Sequence, residues 1–348
     1  MSDMPSREDP ADLDNSAGPG SGAGQGPKRA ARHKRRGLRV ALVSAASLVV
    51  VLGAVVAGGY AFVNHLAGSV QRIPVAFTRQ DVASRPTRGT TVLITGAGIG
   101  PTGGPVSSMA TSGLIMLLHI DADQHAGGVV SIPPQTIVRV PGHGRTEIEN
   151  ALADGGPSLL VQTVENLTHV QIDHYARVDF VHVANVVDVL GGVNVILPDQ
   201  TVSFGHIFHV GVNHLNGTTA LDYVREPDLT QEGRVLRQQS LIRAILDKLA
   251  NRHLLTSPVT MYHVLNALIG MLTVDSNFTN SELERLATEL GGLHSRDGTF
   301  VTAPVHMVAG KVYLDRFISN KLWMAIRQDS IAAFAKEYPF TVTPVAPR

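Results

Sequence analysis

The chain has 348 residues, with 29 lysines and arginines against 29 aspartates and glutamates, and no cysteine. Zero net charge excludes a globally basic nucleic-acid-binding protein, and the lack of cysteine excludes disulfides, thiolate zinc sites and cysteine nucleophiles. The charge is unevenly distributed, because residues 1–39 contain eight basic and five acidic side chains and residues 40–348 contain 21 and 24.

The first predicted element is an apolar helix. Residues 40–63 are 24 consecutive residues without a charge, and about 20 apolar residues at 1.5 Å each cross a hydrocarbon core roughly 30 Å thick. A signal peptide has a shorter apolar region of about 7–15 residues, and a buried helix of a soluble protein leaves the flanking charge unexplained. The sequence therefore predicts a transmembrane helix over residues 38–63.

Basic residues accumulate on the N-terminal side of this run. They are Lys28, Arg29, Arg32, Lys34, Arg35, Arg36 and Arg39. The next basic residue after the run is Arg72. Because lysine and arginine flank the cytoplasmic end of a membrane helix, we expect a single-pass protein of the cell membrane with residues 64–348 outside. Residues 1–37, poor in apolar side chains, are predicted to be a disordered cytoplasmic tail.

The outer region alternates short apolar runs with helical patterns. We predict strands at 91–94, 114–120, 128–132, 175–178, 193–197, 299–304 and 311–314. We predict helices at 157–167, 180–190, 217–224, 233–249, 259–272, 281–290 and 318–336. Residues 64–89 are predicted as a linker, 90–338 as one domain and 339–348 as a tail. This interleaving indicates an α/β fold, a three-layer αβα sandwich with a mixed central sheet.

Three polar patterns are weak candidates for a site. The glycine-rich segment 96–100 follows a strand, but Pro101 replaces the third glycine of a dinucleotide loop, which favours a flexible glycine loop. His206, His209 and His214 lie close in sequence at a turn, and surface histidines explain them better than a metal site. Glu147 and Glu149 are two residues apart and point different ways on a helix.

Three arginines form a stronger candidate. Arg225 ends one predicted helix, and Arg234 and Arg237 lie three residues apart at the start of the next. Residues at i and i+3 share a helix face, and a helix N-terminus favours an anion. Guanidinium groups match phosphate oxygens as planar forks. Local ion pairs would explain them equally well, with the acids Glu226, Asp228 and Glu232. The residues alone leave both hypotheses open.

The segment around these arginines resembles the LytR-CpsA-Psr family of cell-envelope proteins. The resemblance rests on residues 215–225 (LNGTTALDYVR) and 233–239 (GRVLRQQ). Further matches occur in the family's order at 116–120 (MLLHI), 131–133 (SIP), 172–175 (IDHY), 178–180 (VDF) and 190–193 (LGGV). The resemblance covers roughly residues 90–250, and a basic tail, one membrane helix and an outer domain are also this family's layout.

The resemblance implies an αβα domain that transfers a glycopolymer from a polyprenyl-pyrophosphate carrier to peptidoglycan and releases the lipid monophosphate. It implies a pocket for the isoprenoid tail, a Mg²⁺ cofactor held by aspartates, and partners that include the membrane, the lipid-linked glycan and peptidoglycan, with no nucleic acid. Pyrophosphate binding is assigned to the residues that match the family's arginine motifs. They are Arg225, Arg234, Arg237 and Gln238.

The chain departs from the family at its other polar positions. Where the family has aspartate or arginine, this sequence has Gly98, Gly100, Gly113, Pro134 and Gln135. A magnesium ion requires carboxylate ligands, so the resemblance leaves metal binding in doubt, and no catalytic or metal-binding residue is assigned. Two functions remain: a membrane-anchored glycopolymer transferase of reduced activity, or a catalytically inactive lipid-pyrophosphate-binding or structural partner of active relatives.

Overall fold

A computed structural model describes residues 68–77, 89–97, 113–123, 126–226, 231–249, 258–283, 285–286 and 298–342. The chain divides into two compact units, Met1–Tyr60 and Ala61–Arg348, and every described residue belongs to the second. The predicted cytoplasmic tail and membrane helix lie outside the described residues. None of the helices within the described ranges has both the length and the apolar composition that a bilayer crossing requires.

The described residues include fifteen strands, seven α-helices and one 3-10 helix (Pro339–Thr341), and residues 280–283 and 285–286, within or next to the helix predicted over 281–290, are also helical. The strands are β1 (Gln71–Ile73), β2 (Thr90–Ala97), β3 (Ile115–Ile120), β4 (Gly127–Ser131), β5 (Ile137–Val140), β6 (Gly144–Glu147), β7 (His174–Asp179), β8 (Val193–Leu197), β9 (Thr201–Ser203), β10 (His206–Phe208), β11 (Gly211–Leu215), β12 (Leu272–Asp275), β13 (Gly298–Thr302), β14 (Val305–Val308) and β15 (Lys311–Leu314). The helices are α1 (Asn150–Thr168), α2 (Phe180–Val189), α3 (Gly217–Arg225), α4 (Gln231–Leu249), α5 (Pro258–Met271), α6 (Arg316–Arg327) and α7 (Ile331–Glu337).

Seven strands make the central sheet, in the order β1-β12-β7-β2-β3-β4-β13. The sheet is mixed, because β2 runs parallel to β7 and antiparallel to β3, and β4 runs antiparallel to β3 and parallel to β13. The mixed α/β fold predicted from the sequence is therefore confirmed. The remaining strands form four two-stranded sheets.

Apolar side chains cover both faces of the central sheet. Neighbouring residues of a strand point to opposite faces, and in β3 Ile115 and Leu117 join one buried cluster while Met116 joins another. The first cluster is completed by α1, α6 and α7, including Trp323. The second is completed by α2, α3, α4 and α5. Continuous apolar runs such as β3 follow from this two-sided burial, which leaves no solvent face for polar residues.

Some predicted boundaries differ from the structure. Within the predicted linker, β1 pairs in parallel with β12 at the sheet edge, and a three-residue strand is too short for a periodic signal. The single helix predicted over 318–336 is two helices, because Asp329 adopts a left-handed backbone with φ of +54°. A non-glycine residue disfavours that conformation, and contacts described below hold Asp329 there.

Helix α1 contains an internal kink that the sequence signals. Its backbone leaves helical geometry at Gly155 and Gly156, and Pro157 begins the straight segment that follows. Proline is favoured in the first turn, where its missing N–H would have no partner. The predicted helix over 157–167 corresponds to this second segment, and the structure adds one more turn before the kink.

Glu165 of α1 gives the fold a specific pH dependence. Its side chain is 3% exposed, Oε1 accepts the Ile172 N–H at 3.0 Å, and within the described ranges Oε2 has no hydrogen-bond partner. Burial raises the pKa of Glu165 to about 7, and the Asp173 charge adds to this. Since the folded-state pKa exceeds the unfolded one, the protonated carboxyl stabilises the fold at low pH, and this contribution is lost as pH rises from about 4.5 through 7.

We expect Glu165→Gln to reduce this pH dependence, because the amide oxygen still accepts from Ile172 and carries no charge. Between pH 5 and 8 the variant should lose about 2–3 kcal/mol less stability than the parent chain. Urea denaturation of the full chain in detergent at both pH values measures this, with the exposed Asp199→Asn as control. Equal pH dependence in Glu165→Gln and the parent chain would show that Glu165 ionises freely in the fold.

Candidate functional site

The candidate site lies at one edge of the central sheet, which we call the site edge and define by Ala97, Asp179 and Ser131. Register places Asp179 of β7 beside Ala97 of β2. The antiparallel β3 begins at the same edge, where the Gly96 N–H donates to the Leu114 carbonyl at 3.1 Å. Ser131 ends β4 opposite Met116, near the start of β3. The start of β3 and the ends of β2, β4 and β7 therefore all lie at the site edge.

Helix α3 begins at a fixed point beside α2. Asn216 caps it, since its Oδ1 accepts the Thr219 N–H at 2.9 Å and the Thr219 hydroxyl accepts the Asn216 N–H at 2.9 Å. The Gly217 N–H donates to Asp188 Oδ1 at 2.7 Å, and a Cβ at Gly217 would collide with the Ala184 carbonyl. Such a capping box fixes the first turn of a helix, and it therefore sets where the last residue of α3 lies.

That last residue is Arg225, the arginine that follows Tyr223-Val224. Its Nε is buried and has no hydrogen-bond acceptor among the described residues, and no ion pair to Arg225 occurs within the same ranges. A buried donor without an acceptor costs about 1–3 kcal/mol, more for a charged group. Arg225 therefore presents a charged donor for which the described residues supply no acceptor.

Arg237 of α4 is used inside the protein. It forms an ion pair with Glu226, with both side chains largely buried. Nη1 donates to the Tyr223 carbonyl at 2.9 Å, and the guanidinium lies over the Tyr223 ring at 4.9 Å from its centroid. Glu226 also accepts from the Thr201 hydroxyl at 2.6 Å. The sequence left two hypotheses for these arginines, anion binding and local ion pairing. The contacts of Arg237 are those of local ion pairing.

Gln238 lies behind the start of β3. Its side chain is 1% exposed, and its Oε1 is buried without a hydrogen-bond partner in the described part of the chain. A Cβ added to Gly113 would lie 3.8 Å from Gln238 Nε2, which is an ordinary van der Waals distance. A Cβ is therefore tolerated at position 113 by the described residues.

Two further polar residues of α4 were not selected from the sequence. Gln239, fully buried, donates from Nε2 to Ser131 Oγ at 2.5 Å and to Thr302 Oγ1 at 3.3 Å, and so ties α4 to the site edge. The Arg243 guanidinium lies over the Phe300 ring at 4.3 Å, and burial lowers the pKa of Arg243. The sequence does signal them, because both are long polar side chains within the apolar face of α4.

The other predicted positions are separate from these contacts or outside the described residues. Gly98, Gly100 and the side chain of Arg234 lie outside them. Pro134 is buried and its carbonyl accepts the Glu149 N–H at 3.1 Å. The histidines 206, 209 and 214 do not converge, since the first contacts Asp222 at 2.7 Å and the last contacts Asn194 at 2.8 Å.

Comparison with known proteins decides the family. A family model described as LytR_cpsA_psr matches residues 65–337. The chain belongs to the LytR-CpsA-Psr family. The match extends well beyond the predicted 90–250, and it includes β1, β12 and β13 of the central sheet together with α6 and α7.

Curated LytR-CpsA-Psr relatives share about a third of their aligned residues with the chain. The probable cell wall biosynthesis protein LcpB of Corynebacterium glutamicum is 32% identical over 197 residues, which cover 55% of this chain and 47% of LcpB. The polyisoprenyl-teichoic acid–peptidoglycan teichoic acid transferase TagU of Bacillus subtilis is 32% identical over 170 residues, covering 47% of this chain and 55% of TagU. The chain thus spans about half the length of the curated relatives it matches.

A solved structure confirms the fold of this family member. The LytR-Csp2A-Psr enzyme from Actinomyces oris superposes with a TM-score of 0.59 at 19% identity, covering 79% of this chain and 99% of that one. At this identity the likeness concerns the fold.

The described residues of this LytR-CpsA-Psr domain do not fit the magnesium ion that the resemblance implies. Magnesium requires carboxylate oxygens in octahedral geometry, and Gly113 offers no side chain. Gln238 Nε2, the atom facing Gly113, is a donor. Asp179 is the carboxylate that register brings to the site edge, and it contacts His182 at 3.2 Å. We therefore derive no step through a metal ion.

Proposed function

We propose that this protein is a membrane-anchored envelope protein that binds a polyprenyl-pyrophosphate-linked glycopolymer and transfers it to peptidoglycan at a reduced rate. The observation that carries the proposal is the buried Nε of Arg225, which has no acceptor among the described residues. A pyrophosphate oxygen supplies that acceptor, and a charge-assisted bond of this type contributes about 1.5–3 kcal/mol.

The family and its members support the transfer reaction. LcpB is named for cell wall biosynthesis and TagU for teichoic acid transfer to peptidoglycan. In the proposed reaction an acceptor hydroxyl oxygen attacks the glycan-linked phosphorus, the bond to the bridging oxygen breaks, and the lipid monophosphate leaves. Arg225 offsets charge on the phosphate oxygens. We assign Asp179 to accept the hydroxyl proton, because it is a partly exposed carboxylate at the site edge.

The surface beside α3 supports membrane attachment. In the hairpin of β9 and β10, Val202, Phe204 and Ile207 are each at least 50% exposed, and residues 201–215 contain no aspartate, glutamate, lysine or arginine. The hairpin contacts α3 through Ser203 Oγ, which donates to the Asp222 carbonyl at 2.7 Å. Together with the 24-residue apolar run, this surface favours a domain that faces lipid next to Arg225.

A second candidate is a binding module without turnover, and Gly113 favours it. Lost transition-state contacts of several kcal/mol each would lower the rate by orders of magnitude. The experiment that separates the candidates uses the full chain in detergent with a polyprenyl-pyrophosphate glycan and a peptidoglycan acceptor. Slow release of lipid monophosphate that Asp179→Asn abolishes supports the transferase. Binding without any release supports the module, and absence of binding contradicts both.

We expect Gly113→Asp to restore part of a metal site. The Cβ of the added aspartate lies at van der Waals distance from Gln238, and its carboxylate supplies an oxygen ligand of the kind that magnesium binds. Mg²⁺ affinity should rise at least about tenfold, which corresponds to about 1.4 kcal/mol. Titration of the full chain with Mg²⁺ measures this, and Gly113→Asn is the uncharged control. An affinity in Gly113→Asp equal to that in Gly113→Asn would show that this loop has diverged beyond the loss of one side chain.

A further inference from the structure

A second cluster of ligating side chains lies at the opposite edge of the central sheet. His119 is near the end of β3, Asp121 follows that strand, and Asp329 lies in the turn between α6 and α7. Eight residues separate Gly113 from Asp121, which corresponds to about 26 Å along an extended chain at roughly 3.3 Å per residue. The cluster is therefore distinct from the site edge.

The three side chains present their ligand atoms to one point. His119 Nε2 lies 2.9 Å from Asp329 Oδ1 and 3.8 Å from Asp121 Oδ1, and all three atoms lie within 4.8 Å of one another. Ligands about 2.0–2.2 Å from a tetrahedral zinc ion are roughly 3.3–3.5 Å apart. The three atoms thus already surround a metal-sized position, and small side-chain rotations would complete the geometry.

Outer contacts orient two of these ligands. His119 Nδ1 lies 2.9 Å from the Thr91 hydroxyl, so Nε2 is the nitrogen that faces the two carboxylates. Asp329 Oδ2 accepts the Ala122 N–H at 3.0 Å, which leaves Oδ1 for the cluster. Metal-binding histidines and carboxylates characteristically have such partners on their other atom.

Asp121 supplies an independent indication that a cation is expected. Its Oδ1 is buried and has no hydrogen-bond partner in the described ranges, and the neighbouring imidazole of His119 is fully buried. A buried carboxylate oxygen without a donor is costly. The carboxylates of Asp121 and Asp329 also lie close to each other in this cluster. A divalent cation would remove both the missing contact and the repulsion.

We propose that His119, Asp121 and Asp329 bind a zinc ion, with solvent completing the coordination. One imidazole and two carboxylates suit Zn²⁺, whereas Mg²⁺ takes oxygen ligands almost exclusively. The ion would join β3 to the turn between α6 and α7, two segments that are more than 200 residues apart in sequence. Its role is structural, since it stabilises the C-terminal helix pair on the sheet.

Zinc titration of the full chain tests the proposal. The chain in detergent is stripped with a chelator and titrated with ZnCl₂ by calorimetry, and Co²⁺ loading reports the ligand set by its visible spectrum. We expect one tight site and a higher Tm with Zn²⁺. Asp121→Asn should weaken Zn²⁺ binding at least about 100-fold, while Asp123→Asn, the matched neighbour, should stay within about threefold of the parent chain.

Two controls distinguish a loss of Zn²⁺ binding from a loss of folding, and the proposed zinc site from the site edge. Asp121→Asn keeps the His119–Asp329 contact, and its Tm in chelator should match that of the parent chain. Arg225→Ala should bind Zn²⁺ like the parent chain. The proposal is overturned if the parent chain shows no stoichiometric Zn²⁺ binding, or if Asp121→Asn binds equally well, in which case the cluster is a hydrogen-bonded contact between His119 and Asp329.

Discussion

Arg225→Ala is expected to weaken binding of a polyprenyl-pyrophosphate glycan at least about 100-fold, because the guanidinium fork can make two charge-assisted bonds worth about 1.5–3 kcal/mol each. Titration of the full chain with the lipid in detergent measures this change. The free energy of unfolding should remain close to that of the parent chain, since Arg225 forms no ion pair with another described residue and its buried Nε has no acceptor there.

Arg225→Lys is the matched control for this prediction. It keeps the positive charge but replaces the planar fork with a point charge, so its affinity should fall between those of the parent chain and Arg225→Ala. If Arg225→Ala binds the lipid like the parent chain, then Arg225 is not the pyrophosphate ligand, and the proposed function loses its main support.

Arg237→Ala is expected to lower the free energy of unfolding by about 3 kcal/mol, the usual cost of leaving one charge of a buried pair without its partner. Glu226 would remain largely buried beside Thr201, and the Tyr223 carbonyl would lose its donor. The end of α3 would also lose its contact with α4. Urea denaturation of the full chain at neutral pH measures the loss.

The double variant Arg237→Ala with Glu226→Gln separates charge from packing. The neutral amide can still accept from Thr201, so we expect it to recover about half of the lost stability. The structural role is contradicted if Arg237→Ala unfolds like the parent chain and instead loses lipid binding. In that case Arg237 would contact the pyrophosphate, as the family resemblance implies.

Five strands of the central sheet could be predicted from their apolar runs, whereas β1 lies in the predicted linker and β12 was not predicted. The apolar runs at 114–120 and 128–132 correspond to β3 and β4, whose bounds differ from them by one residue. Among the strands of the four two-stranded sheets, only those at 193–197 and 311–314 were predicted, because strands such as Thr201–Ser203 are too short for a periodic signal.

The two roles of the arginines could not be separated from the sequence. Glu226 is adjacent to Arg225 in the chain, yet it pairs with Arg237, because Glu226 caps the end of α3 and α3 packs against α4. Sequence spacing alone does not distinguish a pair of Glu226 with Arg225 from a pair of Glu226 with Arg237. Only the packing of α3 against α4 decides which guanidinium has an internal partner.

The break between α6 and α7 has a cause that lies far away in the sequence. The helical pattern continues across residues 318–336, but Asp329 contacts His119 and the Ala122 N–H. These two partners lie 210 and 207 residues before Asp329 in the sequence, and their contacts hold its left-handed backbone. Local periodicity contains no information about such contacts. For this reason the cluster of His119, Asp121 and Asp329 was not predicted from the sequence either.

We propose that Arg225 binds the pyrophosphate of the lipid-linked glycan and that Gly113, which has no side chain, leaves this binding independent of Mg²⁺. The most direct test is equilibrium binding of a polyprenyl-pyrophosphate glycan to the full chain in detergent, with excess EDTA and then with Mg²⁺. We predict saturable binding whose affinity is the same within about twofold in both conditions. Binding that appears only with Mg²⁺ would show that a metal site exists despite Gly113, and it would contradict the claim.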